Sequence, residues 1–134
     1  MRIIAVANQK GGCGKTTTAI NLSASLAFLQ KKVLLIDLDP QGHSTCGLNV
    51  RAEFLEKTTY DLFQEHSGPL SDLIVSVNSF LWLIPTHVIL SKVEQELAAQ
   101  GTDAYQCLKK RLWECEEAYD YVVIDSPPNL GVLT

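Results

Sequence analysis

The sequence predicts an α/β domain: a mostly parallel, doubly wound sheet with helices on both faces. Three observations lead there. Four short apolar runs rich in Ile, Val and aromatics are spread along the chain, segments with helical periodicity lie between them, and a glycine-rich turn follows the first run. Short unbroken apolar runs are the signature of strands buried on both faces of a parallel sheet, and alternation with helices implies right-handed crossovers between them.

The first run, IIAVA at residues 3 to 7, is the first strand. Residues 16 to 30 are rich in Ala, Ser and Leu, with Leu22, Leu26 and Leu29 on one stripe; the small residues let this helix pack close to a sheet. VLLIDL at 33 to 38 is the second strand. TTYDLFQE follows, and Thr58 three positions before Asp61 forms a capping box that predicts one short helix. FLWLI at 80 to 84 is the third strand; Ile89, Val93 and Leu97 then recur every four residues up to Gly101, a helix terminator. Leu108, Leu112, Cys115 and Tyr119 form a last helical stripe before YVVID, the fourth strand at 121 to 125. Trp82 and Trp113 are expected in the core or against helices. No repeat, low-complexity tract or linker divides the chain, so residues 1–134 read as a single domain. Because the chain stops nine residues after Asp125, where another helix is due, it reads as the front portion of a larger domain.

Composition narrows the function classes. With 46% hydrophobic and 19% charged residues the chain has enough apolar material for a core. No apolar run approaches the roughly 20 residues of a membrane span, and the first residues lack the pattern of a secretory signal, so a cytoplasmic protein is expected. The four cysteines form no metal-ligand spacing with the three histidines. Cys107 and Cys115, on one helix, would stand roughly 12 Å apart, beyond disulfide reach. Charge is asymmetric: residues 1–50 carry +3 and residues 51–134 carry −7, giving the net −4. Chemistry on anions therefore belongs to the first third, and the acidic remainder has no nucleic-acid footprint.

That first third contains KGGCGKTT, residues 10 to 17. A strand, a glycine-rich turn and a helix form an anion trap, because successive backbone N–H groups and the helix's positive end converge on one point. Gly11, Gly12 and Gly14 permit close approach; Lys15 can reach the β and γ phosphates, the Thr16 hydroxyl can ligate Mg²⁺, and Thr17 can add a phosphate contact. Gln9 replaces the first glycine of the common phosphate-loop pattern, and an extra lysine, Lys10, stands five positions before Lys15.

Asp37 and Asp39 end the second predicted strand and Asp125 ends the fourth, and ligands of open α/β sheets bind outside such strand ends. Asp125 fits the role of an aspartate that holds Mg²⁺. Asp37 and Asp39, two residues apart on extended chain, face the same way. His43 is expected as a solvated loop residue.

KGGCGKTT, followed by LLIDLDPQGHST and YDYVVIDSPPNLG, resembles the ParA/MinD family of deviant Walker A P-loop ATPases, and DLDPQG resembles the ParA/Soj partition branch. The likeness covers nearly the whole chain. It implies an ATP- and Mg²⁺-dependent dimerisation switch with slow, partner-stimulated hydrolysis. The nucleotide site would comprise Lys10, Gly11, Gly12, Cys13, Gly14, Lys15, Thr16 and Thr17, with the metal at Thr16, Asp37 and Asp125. Lys10 would reach across a sandwich dimer to the phosphates of the other subunit. Asp39 would position the attacking water; spacing alone leaves open whether Asp37 or Asp39 matters more to hydrolysis. SPPNLG, residues 126 to 131, resembles the second switch, with Gly131 near the γ-phosphate. Partners implied are a second copy, a ParB-type stimulating protein and, for a full-length member, non-specific DNA, which this chain alone is not expected to bind. A MinD-like division-site ATPase would need a C-terminal amphipathic helix, metabolic ligases with the same loop would need a later substrate pocket, and a nucleotide-binding fragment without turnover is the third alternative.

Overall fold

A computed structural model describes residues 1–64, 68–87 and 103–128. Its elements in chain order are β1 (Arg2–Val6), α1 (Lys15–Phe28), β2 (Val33–Asp37), α2 (His43–Gly47), β3 (Val75–Ser76), β4 (Leu81–Ile84), α3 (Asp103–Trp113) and β5 (Tyr121–Asp125). Three 3₁₀ turns, Ala52–Phe54, Thr59–Phe63 and Leu70–Leu73, join α2 to β3. The strands form one sheet in the order β1-β5-β2-β4-β3, parallel except for β3, which runs antiparallel to β4. The expected α/β sheet is therefore present, with β3 as an additional strand.

Each face of the sheet is covered by what its sequence allows. Along β2 every residue is buried, and alternate side chains go to opposite faces. Val33 and Leu35, with Leu81, Leu83 and Val123, meet α1 through Ala19, Ser23 and Ala27. Those three small residues form the buried stripe of α1, whereas Leu22 and Leu26 pack partly and Leu29 is 65% exposed. The predicted leucine stripe is corrected accordingly: a strand surface of branched side chains leaves room for Ala and Ser, and the larger side chains are displaced to the flanks. Leu34, Ile36, Leu38, Val122 and Ile124 point the other way, onto the 3₁₀ turns, onto Leu112 near the end of α3 and onto Cys115 in the turn after it; the helix ends at Trp113, short of the predicted stripe through Cys115 and Tyr119. Leu34, Leu35 and Ile36 are wholly buried, and each contributes about 1.5–3 kcal/mol of transfer free energy.

The expectation of strands buried on both faces fails for β1. Ile3 is 50% exposed and Ala5 is exposed, because β1 pairs only with β5 among the described residues and lies at the sheet edge. The capping box at Thr58 and Asp61 is present, closed by the Thr58 N–H donating to Asp61 Oδ2 at 2.9 Å, but it starts a 3₁₀ turn. Trp82 packs edge-on against Tyr119 with ring centroids 5.4 Å apart. Trp113 departs from its expected packing role: it is 61% exposed, with the Lys109 ammonium 5.1 Å from its ring centre. The helix expected around Ile89, Val93 and Leu97 lies outside the described residues. No helix among the described residues is long and apolar enough to cross a membrane.

Candidate functional site

Parallel strands place their carboxyl ends together, and register does the rest: Asp125 stands beside Val6 on one side and beside Asp37 on the other. The loops that leave β1, β2 and β5 enclose a cavity of about 570 Å³, lined by residues 11–17, Asp39, Gln41, His43 and Pro128. The glycine turn is built for this. Gly12 and Gly14 have φ of 68° and 83°, left-handed values open to glycine at little steric cost, and Gly14 is the cap from which α1 starts. The first turn of α1 thereby aims its N–H groups at the cavity, with no acidic side chain in that turn to oppose an anion.

Lys15 folds back over the loop, its Nζ donating to the Lys10 carbonyl at 3.2 Å and lying 3.9 Å from Cys13 Sγ. Lys10 is exposed and is not among the cavity-lining residues; its backbone N–H donates to Asn8 Oδ1 at 3.0 Å. His43, expected on a loop, is the first residue of α2 and stands in the cavity wall. Asn129, Leu130 and Gly131 of the second-switch block lie outside the described residues.

Thr16 donates its hydroxyl to Asp125 Oδ2 at 2.8 Å across 109 residues of sequence. Asp125 is completely buried, and its Oδ1 has no hydrogen-bond partner among the described residues. An orphaned buried carboxylate oxygen is costly unless a cation or water meets it. Oxygen donors of this hardness suit Mg²⁺, so the residues present fit that ion.

Asp37 is also wholly buried, and its environment is different. Oδ2 accepts both the Thr45 N–H at 2.8 Å and the Thr45 hydroxyl at 2.7 Å, while Oδ1 accepts the Asp39 N–H at 3.1 Å. Burial nevertheless pushes its pKa from 3.8 up to about 7, against the pull of the Thr45 hydrogen bonds and with a smaller push from the Asp125 charge. Asp39 Oδ1 accepts the Gln41 N–H at 2.9 Å and the Asp39 carbonyl accepts Gly42 N–H at 2.8 Å, which closes the turn into α2.

Sequence reading did not find Ser44, Thr45 and Thr86. The Ser44 hydroxyl donates to Asp125 Oδ2 at 2.6 Å, and the Thr45 hydroxyl accepts from the Thr86 N–H at 3.0 Å, tying α2 to the end of β4. The available signal was GHST at 42 to 45, which repeats the form of GKTT at 14 to 17.

The chain matches the AAA domain family (AAA_31) over residues 1–134. It is 48% identical over 134 residues to the chromosome-partitioning ATPase Soj of Thermus thermophilus, covering 100% of this chain and 49% of that protein. A structure named cobyrinic acid a,c-diamide synthase, from Mycobacterium smegmatis with bound ATP analog and magnesium, superposes with a TM-score of 0.91 at 35% identity, covering 99% of this chain and 54% of that one. A McdA variant from Cyanothece in complex with ATP gives a TM-score of 0.91 at 36% identity, covering 99% of this chain and 50% of that one. The chain thus spans about half the length of the proteins it matches. The likeness to Soj proteins read from the three motif blocks is borne out, as is the fold.

Proposed function

Because the chain belongs to the AAA domain family, we propose that it is a ParA-like, Mg-ATP-binding and hydrolysing dimerisation switch of plasmid or chromosome partitioning. The observation that carries this reading is the Thr16–Asp125 hydrogen bond beneath the glycine loop, with the buried Asp125 Oδ1 left without a partner among the described residues. Support comes also from the Thermus relative, named a chromosome-partitioning ATPase, and from the two neighbours bound to ATP or its analog, one of them with magnesium.

The backbone N–H groups of residues 11–17 receive the phosphates, and Lys15 Nζ exchanges the Lys10 carbonyl for phosphate oxygens. Thr16 and Asp125 would hold Mg²⁺, with Asp37 beside them as a further carboxylate near the ion. When bound, the ion neutralises charge that builds on the phosphates. Asp39, on the cavity wall, orients the attacking water. Lys10, exposed and absent from the lining of its own cavity, serves the nucleotide of a second copy, where its charge stabilises the transferring phosphoryl group. Hydrolysis is slow and is stimulated by a ParB-type partner. Non-specific DNA binding is assigned to full-length members of the family and not to this chain alone. The synthase neighbour favours a second reading, a ligase that uses the same phosphate site; ATP turnover without any second substrate separates the two.

Calorimetric titration with Mg-ATP tests the proposal. Binding is expected in this chain and lost in Lys15→Ala, whereas Lys10→Ala retains binding and loses turnover. No binding in the unmodified chain would overturn the phosphate site, and equal binding losses in the two variants would overturn the role of Lys10 in the second copy.

A further inference from the structure

Two helices begin in the same way. Gly14 and Gly42 are both left-handed caps, with φ of 83° and 66°, and the second helical residue after each carries a hydroxyl, Thr16 in α1 and Ser44 in α2. Both hydroxyls donate to one atom, Asp125 Oδ2, at 2.8 and 2.6 Å. Ser44 is wholly buried, so no water competes for its proton. With Oδ2 held from two sides the carboxylate cannot rotate freely, and buried Oδ1 remains as its acceptor without a partner among the described residues. Ser44 also adjoins Thr45, whose N–H and hydroxyl hold Asp37, the register partner of Asp125. Two consecutive side chains of α2 therefore grip the ends of two neighbouring strands, and the turn from Asp39 to Gly42 is fastened to their first residue.

Resting on the metal site proposed above, we infer that Ser44 is a positioning residue: it orients the Asp125 carboxylate for Mg²⁺ and transmits occupancy of that site to the Asp39 turn. Thr16 lines the cavity and would exchange partners when nucleotide binds there. Ser44 does not line the cavity, so its bond to Asp125 is the one expected to persist when nucleotide binds. Outer partners of this kind commonly change metal affinity by about 10-fold or more when removed.

The test compares ADP affinity with Mg²⁺ present and with Mg²⁺ removed by a chelator, in the unmodified chain, Ser44→Ala and Ser44→Thr. The gain in affinity given by Mg²⁺ is expected to fall about 10-fold in Ser44→Ala and to be restored in Ser44→Thr. Amide hydrogen exchange at Gly42, Thr45 and Cys46 is expected to slow on adding Mg²⁺ to the ADP complex of the unmodified chain, and to lose that response in Ser44→Ala. This second measurement decides the matter if Ser44→Thr fails to fold. A merely structural serine would weaken binding equally with and without Mg²⁺; an unchanged Mg²⁺ gain, or an unchanged exchange response, overturns the inference alone. No Mg²⁺ effect in the unmodified chain overturns the metal site itself, and the inference with it.

Discussion

Replacing Thr45 with Val keeps the shape of a buried side chain and deletes one oxygen. That oxygen makes two bonds: it donates to Asp37 Oδ2 at 2.7 Å and accepts from the Thr86 N–H at 3.0 Å. Above pH 7, where Asp37 is ionised, a hydrogen bond to its carboxylate is worth about 1.5–3 kcal/mol, and a buried N–H left without a partner costs about 1–3 kcal/mol. Asp37 keeps the Thr45 and Asp39 N–H donors, and the hydroxyl no longer has to be desolvated, so the two losses do not add in full. A destabilisation of about 3 kcal/mol is expected, a large fraction of the roughly 5–15 kcal/mol typical of a domain. In urea this is a midpoint lower by on the order of 1–2 M at unchanged slope. The control is Thr45→Ser, which keeps the oxygen and loses only a methyl group, for about 1 kcal/mol. Burial holds the Asp37 pKa at about 7 against the Thr45 hydrogen bonds, so Thr45→Val should also move that titration upward. Urea curves in which Thr45→Val is no less stable than Thr45→Ser would refute the argument, because the methyl group and not the hydroxyl would then be the stabilising part.

Asp37 itself gives a pH dependence. Its folded pKa of about 7 lies above its ordinary 3.8, so the folded state binds the proton more tightly and Asp37's contribution to stability is lost as pH rises through that interval. The loss amounts to on the order of 4 kcal/mol, and the difference in stability between this chain and Asp37→Asn, measured without nucleotide at pH 4 and pH 8, should show that slope; a difference independent of pH would contradict it. Gly42→Ala places a Cβ at a φ of 66° and 3.2 Å from Thr86 Cγ2; a loss of about 1–2 kcal/mol is expected in thermal or urea unfolding. Cys13 lines the cavity and is exposed, as is Cys46, which does not line it. Mg-ATP should therefore slow alkylation at Cys13 and leave Cys46 unchanged, as read by mass spectrometry of the labelled peptides; equal protection of both would argue against nucleotide in this cavity.

The parts of the fold legible in the sequence are those whose signal is local. VLLID and YVVID announce buried strands because every position is apolar until the terminal aspartate. The two-residue strand Val75–Ser76 has no such run; it exists because Val75 and Ser76 find Leu83 and Trp82 across the sheet. IIAV looked as buried as the others, yet half of Ile3 faces solvent, since composition cannot show whether a strand is central or at an edge. In the site, the glycine loop and the strand-end aspartates were visible because glycine and carboxylate have few uses at those points. Ser44 and Thr45 were not. Short hydroxyl residues after a turn are ordinary, and their importance arises only when register sets Asp37 beside Asp125.

Strand order explains why one carboxylate collects so many partners. The crossover through α1 leads from β1 to β2, which are not neighbours; β5 lies between them. A gap of one strand means that the loop leaving β1 and the loop leaving β2 pass on either side of the end of β5. Open α/β sheets bind their ligands at such strand ends. Asp125 ends β5 with its backbone fixed on both sides: its carbonyl accepts the Leu38 N–H at 2.9 Å, and the next residue, Ser126, donates its N–H to Val6 at 3.2 Å. The side chain then meets the second helical residue of α1 from one flank and that of α2 from the other. Had β1 and β2 been adjacent, the two hydroxyls could not converge on an aspartate between them. A glycine loop can supply contacts for phosphate in any strand order, but the proposed link between phosphate, metal and the Asp39 turn depends on β5 being inserted between the strands that carry the two loops.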